Sequence, residues 1–196
     1  MGGQDQVLDP LIARGDVVVV HEDWIDDWKP ENAKRSVNAA ISRVAGQAPA
    51  PTDPNHPNDP NAAKDATTRG TGIVGVLAPN DGTAGGAAQA LLEEGLSGKL
   101  VITGQDAELA ACQRILAGTQ TMTVYKPLKR LAGRAAEVAV SMARGRPVVA
   151  TAESDNGRIK VPSIFIDVVA VDQKNLAETI VKDDFHSAAA IGLSQK

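Results

Sequence analysis

Three polar residues stand where predicted strands end, in a pattern that could bind a small ligand. Asn80, Asp106 and Lys126 each follow a β-type stretch and precede a turn or the start of a helix. Because ligands of an open parallel α/β sheet bind at the carboxyl ends of its strands, we expect these side chains to converge, although 26 and 20 residues separate them in sequence. Trp24 follows the predicted strand Asp16–His21 and adds an aromatic ring. This set suits a neutral polyhydroxylated ring, whose apolar C–H face the tryptophan would cover while the polar groups bind its hydroxyls.

Each of these residues also has an ordinary structural interpretation. Trp24 could be a packing residue, Asn80 a turn former, Asp106 a helix N-cap and Lys126 a solvated surface charge. Trp28 is assigned to packing rather than to the site. The acidic residues beside Trp24 are interpreted as a solvated loop rather than as a pair of catalytic carboxylates; they are Asp23, Asp26 and Asp27.

Composition narrows the possible classes of protein. The 196 residues suffice for one domain or two small ones, and 43% hydrophobic with only 3% aromatic residues predicts an aliphatic, Ala-rich core. A net charge of −4 argues against nucleic acid as a partner, which needs a clustered basic surface. No apolar run is long enough to span a membrane, and residues 1–6 do not resemble a signal peptide.

Cysteine and histidine give no sign of redox, metal or covalent chemistry. Cys112 lies on a predicted helix with no histidine near it in sequence, which favours a buried structural thiol over a nucleophile. The histidines lack metal-ligand spacing; they are His21, His56 and His186. We therefore predict no cofactor and no metal, and we consider an enzyme the least probable class.

The order of predicted elements indicates an α/β fold with a Rossmann-like parallel sheet flanked by helices. Helices are predicted over 5–14, 30–45, 84–94, 108–117, 128–144 and 175–182. Strands are predicted over 16–20, 73–78, 99–103, 119–124, 148–150 and 164–169, with Asn156-Gly157 as a hairpin turn. The glycines at 82, 85 and 86 match no phosphate-binding motif and are better explained by close packing of a helix on the sheet.

Residues 47–71 differ in kind from the rest of the chain. They hold five of the eleven prolines and no aromatic residue, valine, isoleucine or leucine. Such a stretch cannot bury enough apolar area to offset its ordering entropy, so an exposed and partly disordered loop is predicted. A proline-recognition ligand and a domain linker are the alternatives.

The chain resembles the sugar-binding proteins of bacterial ABC importers, which belong to the type I periplasmic binding proteins. Within this family it resembles the branch that binds D-xylose. The matching stretches cover residues 24–33, 80–87, 104–110, 117–127 and 180–186. The resemblance implies two Rossmann-like lobes joined by three crossover strands, with the sugar closed between them. It also implies that Trp24 stacks on the sugar ring, that Asn80 and Asp106 bind its hydroxyls, and that Lys126 donates a charge-assisted hydrogen bond.

The same resemblance implies how the chain divides. Residues 1–124 would form most of the second lobe with 47–71 as an inserted loop, 125–150 a crossover and a remnant of the first lobe, and 151–196 the return crossover and the end of the second lobe. The rest of the first lobe and an export signal are expected to lie outside the chain. The predicted helix 128–144 would then expose its inner face, which predicts self-association or a partner.

Two functions follow from the resemblance. The first is a periplasmic or cell-surface binding protein that delivers D-xylose or a related monosaccharide to an ABC permease, with a chemoreceptor as a further expected partner. The second is a regulatory or truncated sugar-sensing module of the same fold that needs a partner lobe or a sensor protein such as a sensor kinase. Neither involves a chemical reaction.

Overall fold

The computed structural model describes residues 2–45 and 72–193, so the Pro-rich stretch 47–71 lies outside the described residues. Contacts divide the chain into two compact units, Met1–Thr103 and Gly104–Lys196. We call them unit 1 and unit 2 and describe each by itself. The division into lobes and crossovers at residues 124 and 150 stays a prediction.

Unit 1 alternates helices with short strands. Its elements are α1 (Gly2–Ala13), a 3-10 turn (Asp26–Trp28), α2 (Pro30–Ala45), β1 (Gly75–Val76), α3 (Asp81–Glu93) and β2 (Val101–Ile102). Pro30 opens α2 at its first position, where the missing N–H has no partner to lose. β1 and β2 pair in parallel, with Gly75 opposite Val101. This pairing confirms the α/β class predicted from the sequence.

The core of unit 1 lies where α2 and α3 meet. Val37 and Ile41 of α2 are buried in one cluster with the fully buried Ala84 and Leu91 of α3. Gly86 lets the two helices approach, since a Cβ at this position would collide with the carbonyl oxygen of Pro30. The glycine therefore serves close packing as predicted, but against a helix rather than against the sheet.

The prediction of a strand over 16–20 is wrong, because these residues pair with no strand among the described residues. The β-branched run forms no helix. It is also not buried as a central strand would be, since Val18 is 74% exposed. Val20 packs partly against the core, and its carbonyl accepts a hydrogen bond of 3.4 Å from Arg43. A β-branched run thus favours an extended backbone without supplying the partner that a strand needs.

Unit 2 contains the remaining elements. They are α4 (Leu109–Leu116), β3 (Thr123–Tyr125), α5 (Leu128–Ala143), β4 (Ala152–Asp155), β5 (Lys160–Ser163), β6 (Val169–Val171), a π-helical turn (Ala177–Val181) and α6 (Ala188–Ile191). β3 pairs antiparallel with β6, and Gln105 forms a parallel bridge with Val124. The β3–β6 sheet is therefore not parallel throughout, and β4 and β5 form a separate two-stranded sheet.

The hairpin predicted around Asn156-Gly157 is confirmed, but its strands differ from the prediction. β4 pairs antiparallel with β5, so the strands of the hairpin lie directly beside the turn. The sequence predicts strands instead at 148–150 and 164–169, and of these residues only Val169 lies in a strand. The Asn156 side chain accepts hydrogen bonds from the backbone N–H groups of Arg158 and Ile159. A hairpin turn fixes the register of the residues next to it, which explains the shift.

The core of unit 2 forms around β3, β6 and the π-helical turn. Tyr125, Val171 and Ile180 are buried there together with Cys112, which confirms the prediction of a buried structural thiol. By contrast, α5 has no buried residue. None of the helices in the described part of the chain is long and apolar enough to cross a membrane.

Candidate functional site

Asp106 and Lys126, predicted from two strand ends, lie together in unit 2. The Lys126 Nζ lies 2.5 Å from one carboxylate oxygen of Asp106, and each side chain is a little more than one-third exposed. The alternative interpretation of Asp106 as a helix N-cap is wrong, because Glu108 stands at the N-cap of α4. The two charges compensate each other and still present hydrogen-bonding positions to solvent.

The backbone around Asp106 is fixed by β3. The Asp106 N–H donates to the carbonyl of Val124 at 2.9 Å, and the Val124 N–H donates to the carbonyl of Gly104 at 3.0 Å. The next N–H, that of Ala107, donates to the Thr123 hydroxyl at 3.1 Å. These hydrogen bonds hold the end of one extended segment beside the strand that leads to Lys126.

Lys126 follows β3 directly and precedes the buried Pro127, from which α5 begins. Tyr125 before it is buried, and its hydroxyl donates a 2.5 Å hydrogen bond to the carboxylate of Asp183. Burial first and this hydrogen bond second raise the pKa of Tyr125 to about 12. Lys126 thus projects from a backbone segment that is anchored on both sides.

Asn80 caps the N-terminus of α3 in unit 1. Its side-chain oxygen accepts the Thr83 N–H at 2.9 Å, while the Thr83 hydroxyl lies 3.3 Å from the Asn80 N–H and accepts from it. Asn80 is therefore a helix cap rather than the turn former of the alternative interpretation, because α3 already begins at Asp81. The Nδ2 amide of Asn80 makes no hydrogen bond among the described residues, so it stays available as a donor.

Trp24 lies in a loop that is fastened to α2. His21 Nε2 lies 3.1 Å from the Ser36 hydroxyl, and Asn32 Nδ2 donates to the Asp26 carbonyl at 3.0 Å. Between these two anchors Trp24 is 74% exposed, so it is not a core residue. Trp28 is 49% exposed, which contradicts its assignment to packing.

The four predicted residues are thus found in two different environments. Asp106 and Lys126 form one ion pair in unit 2, whereas Trp24 and Asn80 belong to unit 1. The convergence of all four on one ligand stays a prediction. Within residues 2–45 and 72–193, no three His, Cys, Asp or Glu side chains are grouped so that they could hold a metal ion.

The Asp106–Lys126 pair has the chemistry of a hydroxyl-binding site. A hydroxyl group can accept a hydrogen bond from an ammonium and donate one to a carboxylate, and hydrogen bonds with a charged partner are about twice as strong as neutral ones. The pair is accessible and already compensated in charge, so a neutral ligand can bind there without leaving a bare charge behind.

Sequence reasoning missed the residues that support this pair. His186 Nε2 lies 2.9 Å from the Ala107 carbonyl oxygen, next to Asp106. The ring of Phe185 packs between those of His186 and Tyr125. Residues 180–186 belong to the stretches that carry the family resemblance, but nothing in their spacing assigns them a role.

Comparison with known proteins shows where the chain fits. Residues 1–147 match the family model of the periplasmic binding protein domain. The chain is 43% identical to the D-xylose-binding periplasmic protein of Haemophilus influenzae over 189 residues, which are 96% of this chain and 49% of that protein. Identity to the protein of the same name from Escherichia coli is 40%, over 96% of this chain and 50% of that one.

A solved structure shows the same fold. The carbohydrate transporter solute binding protein from Chloroflexus aurantiacus, in complex with D-glucose, aligns with a TM-score of 0.72 and 28% identity. The alignment covers 94% of this chain and 54% of that one. The chain thus spans about half the length of the curated relatives that it matches.

Proposed function

Because the chain belongs to the periplasmic binding protein domain family, we propose that it contributes a binding surface for D-xylose or a related monosaccharide in a solute-binding protein of an ABC importer. The observation that carries this proposal is the Asp106–Lys126 pair, with Nζ and carboxylate oxygen 2.5 Å apart. The names of the relatives from Haemophilus influenzae and Escherichia coli support D-xylose as the sugar.

Each residue has a defined role in this proposal. Asp106 accepts hydrogen bonds from sugar hydroxyls, and Lys126 donates to the oxygen of the same or a neighbouring hydroxyl. The exposed ring of Trp24 covers the apolar C–H face of the sugar ring, and Asn80 donates through its free Nδ2 while its oxygen stays in the helix cap. All four contacts bind the sugar without making or breaking a covalent bond, so the proposed activity is binding and not catalysis.

The part of the relatives that this chain does not cover affects the sugar affinity that we expect. A micromolar sugar site needs about −8 kcal/mol. Hydrogen bonds to charged groups contribute roughly 1.5–3 kcal/mol each, so two of them do not suffice for a micromolar site. In the proposed mechanism, this chain, which spans about half the length of its relatives, is completed by the first lobe. That lobe closes over the sugar by a hinge motion and supplies further contacts. The complete binding protein works in the periplasm and passes its sugar to an ABC permease.

The test is a titration of the chain with D-xylose, followed by tryptophan fluorescence. The Trp28→Phe variant leaves Trp24 as the single reporter, since the chain has two tryptophans. L-arabinose, D-ribose and D-glucose serve as control sugars. We expect a saturable signal that is strongest for D-xylose.

Two variants connect that signal to the site. Asp106→Ala should abolish it, whereas Asp16→Ala, which removes the carboxylate from an exposed ion pair with Arg14, should leave it unchanged. A D-xylose response that survives Asp106→Ala contradicts the proposed site. A folded chain that responds to no sugar, both alone and with the remaining half of a relative added, contradicts the proposed function.

A second candidate function, a sugar-sensing module that works through a partner, is favoured by the apolar face of α5. Leu131 is 46% and Met142 68% exposed, and between α5 and the segment that includes Ile164 lies a groove of about 580 Å³. An apolar face of this kind marks an interaction site, either with a partner lobe or sensor or with a second copy of the chain.

Sedimentation of the chain alone and with candidate partners separates these possibilities. We expect Leu131→Glu to abolish association, because it places a charge on the apolar face, while Glu137→Gln on the same helix leaves it intact. A monomeric wild-type chain that binds no partner lobe would contradict this second candidate.

A further inference from the structure

The turn that carries Asp106 has an unfavourable backbone conformation. Asp106 has a φ of 102° and Ala107 a φ of 53°, so two consecutive residues with a Cβ lie in the region that favours glycine. Such conformations persist only where the surroundings impose them, and they cluster at binding sites. The position of the Asp106 carboxylate beside Lys126 therefore depends on whatever holds Ala107.

Ala107 is completely buried, and three side chains contact its peptide groups. The Thr123 hydroxyl accepts a hydrogen bond from the Ala107 N–H at 3.1 Å. The Ala107 carbonyl oxygen lies 2.9 Å from His186 Nε2 and 3.6 Å from Cys112 Sγ. A carbonyl oxygen only accepts, so Nε2 carries the hydrogen. Since a thiol is a weak donor, the imidazole supplies the stronger of the two hydrogen bonds to this carbonyl.

The imidazole is itself held by neighbouring rings. The His186 and Phe185 ring centroids are 4.7 Å apart, and those of Phe185 and Tyr125 are 5.0 Å apart. The Tyr125 hydroxyl is bonded to Asp183, and Lys129 Nζ donates to the Asp183 carbonyl at 3.0 Å. The segment 183–186 is thus fastened to the strand and helix on either side of Lys126.

We propose that His186 is a positioning residue that holds the Asp106–Ala107 turn in its left-handed conformation and so keeps the Asp106 carboxylate opposite Lys126. This proposal deepens the proposed function and rests on it for its relevance to sugar binding. Without the Nε2–H donor, the thiol of Cys112 is the one side-chain donor that the described residues still offer to the buried carbonyl of Ala107. The turn then relaxes, and the carboxylate moves away from the ammonium.

Amide hydrogen exchange in the full chain tests the turn directly and needs no sugar. His186→Phe keeps a ring beside Phe185 but removes the donor, whereas His186→Gln places an N–H at similar reach. We expect His186→Phe to speed exchange of the Asp106 and Ala107 amides roughly two- to tenfold, as for the loss of one net hydrogen bond, and His186→Gln to restore slow exchange. The Ala117 N–H donates to the backbone carbonyl of Gln113 within the same unit, so its exchange rate reports any general loss of stability.

The matched control is Gln113→Met. Gln113 Nε2 also donates to a carbonyl distant in sequence, that of Ala190, at 2.9 Å, so its hydrogen bond lies outside the set that holds Ala107. This variant should leave both turn amides unchanged. Equal acceleration of Ala117 and the turn amides in His186→Phe, or no acceleration at all, overturns the proposal.

Titration of the same variants with D-xylose separates this proposal from the proposed function. If the turn opens and affinity falls about tenfold in His186→Phe, with recovery in His186→Gln, the positioning role is supported. If the turn opens and affinity is unchanged, the positioning role is overturned. If the wild-type chain binds no D-xylose even when completed by a partner lobe, the proposed function fails, while the exchange data still decide whether His186 holds the turn.

Discussion

The hydroxyl of Tyr125 donates a 2.5 Å hydrogen bond to the carboxylate of Asp183, 58 residues further along the chain. Tyr125 is almost completely buried, and burial together with this bond raises the pKa of its phenol to about 12. The contact joins β3 to the segment that carries His186. It also makes a stability contribution that depends on pH.

The sign of that dependence follows from the two protonation states. Below about pH 10, the ordinary pKa of tyrosine, the phenol is protonated in both the folded and the unfolded chain, so the contribution is fully present. Between pH 10 and 12 the folded chain retains a proton that the unfolded chain has lost, so the free energy of unfolding falls as the pH rises. Because the chain has a single tyrosine, tyrosinate absorbance reports this group alone. We expect a titration midpoint near 12 in the folded chain and near 10 in urea.

Tyr125→Phe provides the matching stability experiment. At pH 8 we expect it to lower the free energy of unfolding by roughly 1.5–3 kcal/mol, the value of a hydrogen bond to a charged group. The difference from the wild type should shrink as the pH approaches 12, since only the wild type loses a proton-linked contribution. A difference that stays constant from pH 8 to pH 12 would contradict the raised pKa.

Gly86→Ala tests the close approach of α2 and α3. The added Cβ would collide with the Pro30 carbonyl oxygen, so the helices must move apart, and overpacking of this kind costs about 1–3 kcal/mol. Gly133→Ala is the matched control, since a Cβ there meets nothing within 4 Å and alanine is favoured over glycine inside a helix. Urea unfolding should therefore show opposite signs for the two variants. A neutral Gly86→Ala would mean that the helices adjust without cost.

The Asp106–Lys126 pair should matter more for ligand affinity than for folding. Both side chains are partly exposed, and ion pairs of this kind contribute about 0.2–1 kcal/mol to stability. As hydrogen-bonding partners of the sugar, each side chain would contribute roughly 1.5–3 kcal/mol to the free energy of binding. Asp106→Asn and Lys126→Gln should therefore each weaken D-xylose binding about tenfold or more. For a sugar hydroxyl that bridges both groups, the double variant should lose less affinity than the sum of the two single losses. Calorimetric titration of the four proteins, beside their urea unfolding, measures both effects. Additive losses in affinity would contradict a shared hydroxyl.

The sequence predicts those features of this chain that depend on local spacing. The apolar periodicity of α2 and α5 and the Asn156-Gly157 turn are local signals, and the structure confirms each. The run 16–20 predicts an extended backbone equally well, but a strand also needs a neighbour at hydrogen-bonding distance, which the run itself does not encode. Pairing partners are therefore where the predictions of strands failed.

In the candidate site, too, residues at recognisable local positions could be predicted from the sequence, whereas contacts of residues without such a position could not. The proximity of Asp106 and Lys126 could be predicted because strand ends of an α/β sheet are recognisable positions. The support from His186 could not, since 79 residues separate it from Ala107 and a lone histidine has no spacing to interpret. The strain at Asp106 is likewise invisible in the sequence, because aspartate is common in both turns and helix caps.

Asn80 combines two roles that one substitution can separate. Its oxygen caps α3, and its Nδ2 is the proposed donor to the sugar. Asn80→Asp keeps an oxygen for the Thr83 N–H and removes the donor, so we expect stability within about 0.5 kcal/mol of the wild type and weaker D-xylose binding. Asn80→Ala removes both, which should cost about 1 kcal/mol of stability as well as affinity. Urea unfolding and calorimetric titration of both variants measure the two roles. If Asn80→Asp binds D-xylose as tightly as the wild type, Asn80 acts as a helix cap and not as a sugar ligand.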